Sequence, residues 1–163
     1  MSLKRIAQEY TNLQSDPLEA CSAAPANDDN LQQWNAMITG PQDTPYAQGT
    51  FRVNIHFPDN YPRSAPHVNF STLTFHPNIS VQGEVRLAEL EELQWSPAFT
   101  VRTVLISLQA MLSDPNTSGG CVLNEEAAKL YLEDHSEFEE KARQWTMSYA
   151  NAKEKESHRG VDV

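Results

Sequence analysis

The chain opens with apolar residues at helical spacing. Leu3, Ile6, Ala7, Tyr10 and Leu13 form one stripe, and Lys4, Arg5 and Gln8 fall on the opposite face. This predicts a helix over 2–14, stopped at Asp16-Pro17 because a residue before proline avoids helical backbone. The period then changes to two. A first strand holds Ala20-Cys21-Ser22-Ala23. A second, over 31–39, places Trp34, Ala36 and Ile38 on one face and ends at Gly40-Pro41. In a third, Phe51, Val53, Ile55 and Phe57 alternate with Arg52, Asn54 and His56, the pattern of a half-buried strand. Pro58, Pro62 and Pro66 keep the following stretch extended and out of central sheet positions, and a short strand over 67–71 carries Val68 and Phe70. Turn residues between successive strands predict an antiparallel meander. From Thr100 the helical period returns: Val101, Val104, Leu105, Leu108, Met111 and Leu112 line a helix over 100–112, which Asp114-Pro115-Asn116 terminates. Asn124 caps a short helix running to Tyr131, and Asp134 with Glu137 has the spacing of a capping box for a last helix lined by Phe138, Ala142, Trp145 and Tyr149. An N-terminal helix, a four-stranded antiparallel sheet and three C-terminal helices make an α+β domain with helices on one face of the sheet.

The 163 residues suit one domain, expected over 1–150, with a polar tail over 151–163 expected to be disordered. A net charge of −10 argues against nucleic acid or an anionic membrane as partner, since both require a cationic face. No apolar run reaches the ~18 residues of a membrane span, and the N-terminus has no signal-peptide core. Two cysteines without CxxC spacing point to neither a disulfide framework nor a metal site, and no cofactor motif is present. The expected location is therefore cytoplasmic or nuclear.

The informative segment is 75–98, FHPNISVQGEVRLAELEELQWSPA. Its proline and glycine exclude long regular structure, yet Phe75, Ile79, Leu87, Leu90 and Trp95 anchor it, as in many functional loops.

Seven short motifs in order carry a resemblance: Leu3-Lys4-Arg5-Ile6, Gly40-Pro41, Thr44-Pro45-Tyr46, Tyr61-Pro62 to Pro66, His76-Pro77-Asn78, Trp95-Ser96-Pro97-Ala98 and Asp114-Pro115-Asn116. At this spacing the sequence resembles the ubiquitin-conjugating (E2) family, from about Leu3 to Ala150, closest to its short class with little beyond the core domain. The resemblance implies the ubiquitin-conjugating α+β fold and partnership with ubiquitin or a ubiquitin-like protein, an activating enzyme, RING-type ligases or an active E2. It also implies a mechanism in which a cysteine carries the modifier as a thioester that a substrate lysine attacks. Asn78 matches the asparagine thought to stabilise the oxyanion or hold the active-site loop; a side-chain amide can donate to developing negative charge.

Against that pattern, the family's cysteine position, ten residues after the motif histidine, is Arg86. A guanidinium stays protonated and forms no thioester. Ala88 stands where an aspartate is frequent, Phe75 replaces the usual tyrosine, and Thr117-Ser118-Gly119-Gly120-Cys121 replaces a shorter, carboxylate-bearing loop. Four departures around one site read as natural loss of catalysis rather than a single engineered replacement. The expected function is an inactive E2-like protein that binds or scaffolds; the alternative is an active conjugating enzyme whose cysteine has been replaced or displaced to Cys121.

Each residue also has a plainer reading. Arg86 is either a solvated side chain balanced by Glu84, Glu89, Glu91 and Glu92 or a partner contact. His76 is expected to hydrogen-bond backbone in its turn, and Asn78 to be structural where no oxyanion forms. Cys121 is either an inert packing residue or, near positive charge and a helix N-terminus, a displaced nucleophile; Cys21 is structural. By the resemblance, Lys4, Arg5, Gln8, Arg63, Ser96, Pro97 and Ala98 mark the surface for activating enzyme and ligase, although Arg63 replaces the aromatic anchor a ligase groove would fill. Lys4 and Arg5 are equally a solvated helix face. Ser22 matches the place where some members bind a second ubiquitin on the outer face of the sheet.

Overall fold

A computed structural model describes residues 2–151. Helix α1 (Ser2–Ser15) leads into strands β1 (Cys21–Asn27), β2 (Asn30–Thr39), β3 (Thr50–His56) and β4 (His67–Phe70). An irregular segment follows, containing one 3₁₀ turn at Ala88–Leu90. Helices α2 (Val101–Ser113), α3 (Glu125–Glu133) and α4 (His135–Tyr149) complete the domain. The strands pair antiparallel in the order β1-β2-β3-β4, the expected meander. Alternation sets the two faces: Trp34, Ile38, Phe51 and Ile55 are fully buried, while Ser22, Asn35, Met37 and His56 point outward to solvent. Helices α1 and α2 pack against the sheet, where Ile6, Leu105 and Leu108 are fully buried. Each such side chain stabilises the fold by about 1.5–3 kcal/mol.

The edges of the sheet differ. On β4, Phe70 N–H donates to Gly83 O at 2.8 Å and Asn69 bridges Glu84, so this edge is covered. On β1 the register slips between Pro25 and Asn27, a bulge beside a residue without an N–H.

Helix α2 starts one residue later than expected because Thr100 is its cap, in a reciprocal capping box with Thr103. Asn124 and Asp134 cap α3 and α4 by accepting from Ala127 N and Glu137 N. Two stripes need correction. In α1, Leu3 is 49% exposed and Ala7 is exposed, whereas Glu9 is 5% exposed; the buried line is Ile6, Glu9 and Leu13, with Tyr10 half-buried edge-on to Trp34. In α4, Tyr149 is largely exposed and Thr146 takes the inner position, its hydroxyl donating to Ala142 O at 2.8 Å. Of the expected tail, Asn151 bridges Gly49 and 152–163 lie outside the described residues. No helix of the described residues is long and apolar enough to cross a membrane.

Candidate functional site

The segment after Phe75 forms a tight turn that three parts of the chain lean on. The Phe75 carbonyl accepts the Tyr46 hydroxyl at 2.6 Å. His76 is fully buried; its Nε2 faces Met111 O at 2.7 Å and its Nδ1 faces Asn78 N–H at 3.0 Å, partners that fix the Nε2–H tautomer. Burial pushes its pKa down to about 4, against the Met111 carbonyl, which favours the charged form. Pro77 O accepts Leu123 N–H at 2.8 Å and Asn124 N–H at 3.2 Å, which ties the start of α3 to the turn.

Asn78 is fully buried and spends every group it has. Its Nδ2 donates to Asn116 O at 2.7 Å and to Cys121 O at 2.8 Å, and its Oδ1 accepts Asn116 N–H at 2.9 Å. The 116–121 loop is thereby stapled at both ends. No amide hydrogen of Asn78 is left for a developing oxyanion.

Position 86 is reached through a turn that needs glycine. Gly83 has φ +95, and a Cβ there would lie 2.1 Å from Phe70 O. Arg86 N–H donates to Asn78 O at 2.9 Å, which sets the residue beside the Asn78 turn. Its guanidinium reaches Glu91 at 3.3 Å, both side chains being about half exposed; of the four glutamates expected to balance it, Glu91 alone pairs with it among the described residues. Arg86, Asn78, Cys121, Ser107, Glu89 and Asp114 share an open groove of about 500 Å³. Cys121 is half-buried, and its Sγ accepts from Asn116 Nδ2 at 3.4 Å. No histidine or lysine lines the groove among the described residues to take a thiol proton. Cys21 lies far along the sequence in the core; its Sγ faces Leu105 O at 3.8 Å and burial pushes its thiol up to about 11, the environment of a structural cysteine.

A second cluster sits at the other end of α2. Glu9 accepts Arg5 Nε at 2.8 Å, the Tyr61 hydroxyl at 2.5 Å and Val101 N–H at 2.7 Å. Arg5 also donates through NH2 to Pro97 O and Phe99 O, each at 2.8 Å, and Trp95 Nε1 donates to Pro62 O at 2.7 Å. Arg5 is therefore not the free cation of a solvated helix face: it fastens the Ser96-Pro97-Ala98 loop to α1. Lys4 is exposed, Gln8 bonds Asn12 along its own helix at 2.9 Å, and Arg63, Pro97 and Ala98 are exposed. Tyr61 is held well above the usual phenol range, first by burial and then by the Glu9 carboxylate. Glu9 is absent from the residues expected to matter. Its signal was a carboxylate sitting on the apolar stripe between Ile6 and Leu13.

The structure thus groups Asn78, Arg86 and Cys121 in one groove and ties Arg5 to the 97–99 backbone near the start of α2, with Arg63 beside Trp95 in a separate concavity and Lys4 and Gln8 elsewhere on α1. Ser22 stands apart, exposed on the outer face of the sheet beside Met37 and Arg52. No group of three or more His, Cys, Asp or Glu among the described residues could hold a metal ion.

One comparison with known proteins bears on this arrangement. The family model described as "Ubiquitin-conjugating enzyme" matches residues 5–146, most of the chain and all of the elements from α1 into α4. The chain belongs to the ubiquitin-conjugating enzyme family.

Proposed function

We propose that this ubiquitin-conjugating family member works without forming a thioester, as a binding or scaffold partner in ubiquitin or ubiquitin-like conjugation. Membership implies contact with ubiquitin or ubiquitin-like proteins, activating enzymes and ligases in general. The observation that carries the inactive reading is the state of the groove. Arg86 offers no thiol there, and both amide hydrogens of Asn78 are taken by backbone carbonyls. A guanidinium is no nucleophile at working pH, and an amide with no free donor cannot stabilise an oxyanion. The neighbouring loop over 117–121 carries no carboxylate to deprotonate an incoming lysine.

The test is loading. Incubated with activating enzyme, ATP and ubiquitin, the protein should give no reductant-sensitive adduct. An adduct that disappears in Cys121→Ser would replace this reading with a displaced nucleophile, the alternative favoured only by the position of Cys121 in the groove. Arg86→Cys restores the thiol without freeing Asn78 or placing a carboxylate in the 117–121 loop, so lysine discharge should stay about 10²–10⁴-fold below that of an active member. In parallel, titration of the labelled full chain with ubiquitin, ubiquitin-like modifiers and an active E2 should show weak binding, with Kd of roughly tens to hundreds of micromolar. Silence with all of them would remove the partner reading.

A further inference from the structure

We propose that His56 and His67 form a binding site for a divalent late first-row transition metal, the class of Ni²⁺, Cu²⁺ and Zn²⁺. The site is independent of the groove at Arg86 and lies two outward rows away from Ser22.

The antiparallel register puts two imidazoles side by side. His56 stands directly opposite His67 across β3 and β4, and directly opposite Gln33 across β2 and β3. Opposed residues of such strands have Cβ atoms about 4.5–5.5 Å apart, so the backbone itself fixes the pairing. Alternation sends both rings to solvent: Ile55 and Phe57 are buried on either side of His56, while His56 and His67 are exposed. The rings lie 22° from parallel, with centroids 6.3 Å apart. Two nitrogens that share one ion, each at about 2.0–2.1 Å, are about 3 Å from each other. Exposed side chains rotate freely, and a turn of the His67 ring towards His56 brings the two nitrogens to one ion.

Gln33 supplies the second observation, because it sets the tautomer. Its Oε1 faces His56 Nδ1 at 3.2 Å; an amide oxygen only accepts, so Nδ1 carries the hydrogen and Nε2 keeps its lone pair. A metal-bound imidazole is held in this way, its second nitrogen donating to an outer oxygen that orients the ring. His67 makes no hydrogen bond or ion pair with any described residue, so its ring nitrogens are open to an ion. The other two described histidines differ: His76 is fully buried, and His135 faces Tyr131 O and Glu139. Neutral imidazoles suit Ni²⁺, Cu²⁺ and Zn²⁺, whereas Mg²⁺ and Ca²⁺ take oxygen ligands. No third His, Cys, Asp or Glu among the described residues joins the pair, which leaves the remaining coordination positions to solvent. Arg63 and Glu92 share a concavity with His67, and their charges offset each other. The net charge of −10 favours a cation at the surface.

The probe is Ni²⁺, titrated into the labelled full-length protein and followed by calorimetry and by loss of amide signal near the paramagnetic ion. One saturable site is expected, with the signals of Gln33, His56 and His67 lost first and no response to Mg²⁺ at the same concentration. Gln33→Leu should weaken Ni²⁺ about tenfold, as for an outer partner of a metal ligand, and His56→Ala and His67→Ala should each weaken it at least as much. Ni²⁺ should raise the unfolding midpoint of the parent and leave that of the double variant His56→Ala/His67→Ala unmoved. Both rings are exposed, so the metal-free variants should keep the parent midpoint. Cys121→Ser and His135→Ala should bind Ni²⁺ as the parent does. Failure to saturate by about 1 mM Ni²⁺ would overturn the proposal. So would signal loss centred on Cys121, His135 or His158, or parent affinity in the double variant.

Discussion

Glu9 and Asn78 occupy the two ends of α2 and do comparable work there, with opposite chemistry. Glu9 is a charged acceptor that gathers three donors: a guanidinium, a phenol and the first backbone N–H of α2. Asn78 is neutral and mixed, giving two hydrogens and taking one at the loop that follows the other end of the helix. The first end fastens the loop over 97–99 to α1 through Arg5. The second staples the 116–121 loop to the turn that carries Asn78, beside Arg86. The difference teaches that the fold around position 86 does not depend on the chemistry once expected there. His76, Pro77 and Asn78 hold α2, the start of α3 and the 116–121 loop by hydrogen bonds to backbone that a cysteine side chain at 86 would not enter.

The largest expected effect is at the charged end. Glu9→Ala leaves the Tyr61 hydroxyl and Val101 N–H buried without an acceptor and Arg5 without its carboxylate, a loss of about 3–5 kcal/mol in urea unfolding. If Glu9→Ala costs less than Asn78→Ala, the two ends have been ranked wrongly. His76 comes next, as a pH effect. Its folded pKa lies below the ordinary value, so the buried neutral ring contributes stability that is complete above about pH 6.5 and is lost as pH falls towards 4. The swing approaches about 3 kcal/mol, and His76→Gln should flatten the stability profile over that window while lowering stability at pH 7. Asn78→Ala should cost about 2 kcal/mol and speed amide hydrogen exchange at Asn116 and its loop, with little change at Val101. Equal acceleration at both ends of α2 would mean that the two clusters act as one. The smallest effect belongs to the exposed ion pair: Glu91→Ala should shift stability by about 0.5 kcal/mol or less, since half-exposed partners are screened by water.

Much of the architecture was legible because it rests on local rules. Proline and asparagine punctuation ended α1 and α2, and Asn124 and Asp134 announced the last two helices through caps that the structure contains. Strict alternation in 51–57 set the faces of β3 without any knowledge of its neighbours. What stayed hidden depends on distance along the chain. Arg5 meets Pro97 and Phe99, more than ninety residues away, so its sequence neighbours suggest only an exposed cation. Leu3 and Ala7 matched the helical period but are exposed, whereas Glu9 is buried, made tolerable by Arg5 on its own helix and by two donors from elsewhere, Tyr61 and Val101. In the groove, the identity at 86 was plain from sequence. That Asn78 has no hydrogen to spare was not, because its partners at 116 and 121 are positioned by folding.

The bulge at Pro25 has a consequence for how the molecule behaves among its own copies. β1 is an edge of the sheet that pairs on one side alone among the described residues, and a row of free N–H and C=O groups would invite a neighbouring chain to extend the ladder. Pro25 removes a donor from the middle of that row, and the slipped register beside it interrupts the regular ladder with β2. Growth into fibrils by edge pairing is thereby discouraged along a strand that carries no charge of its own. Concentrated solutions should stay free of ordered aggregates until the hairpin itself opens.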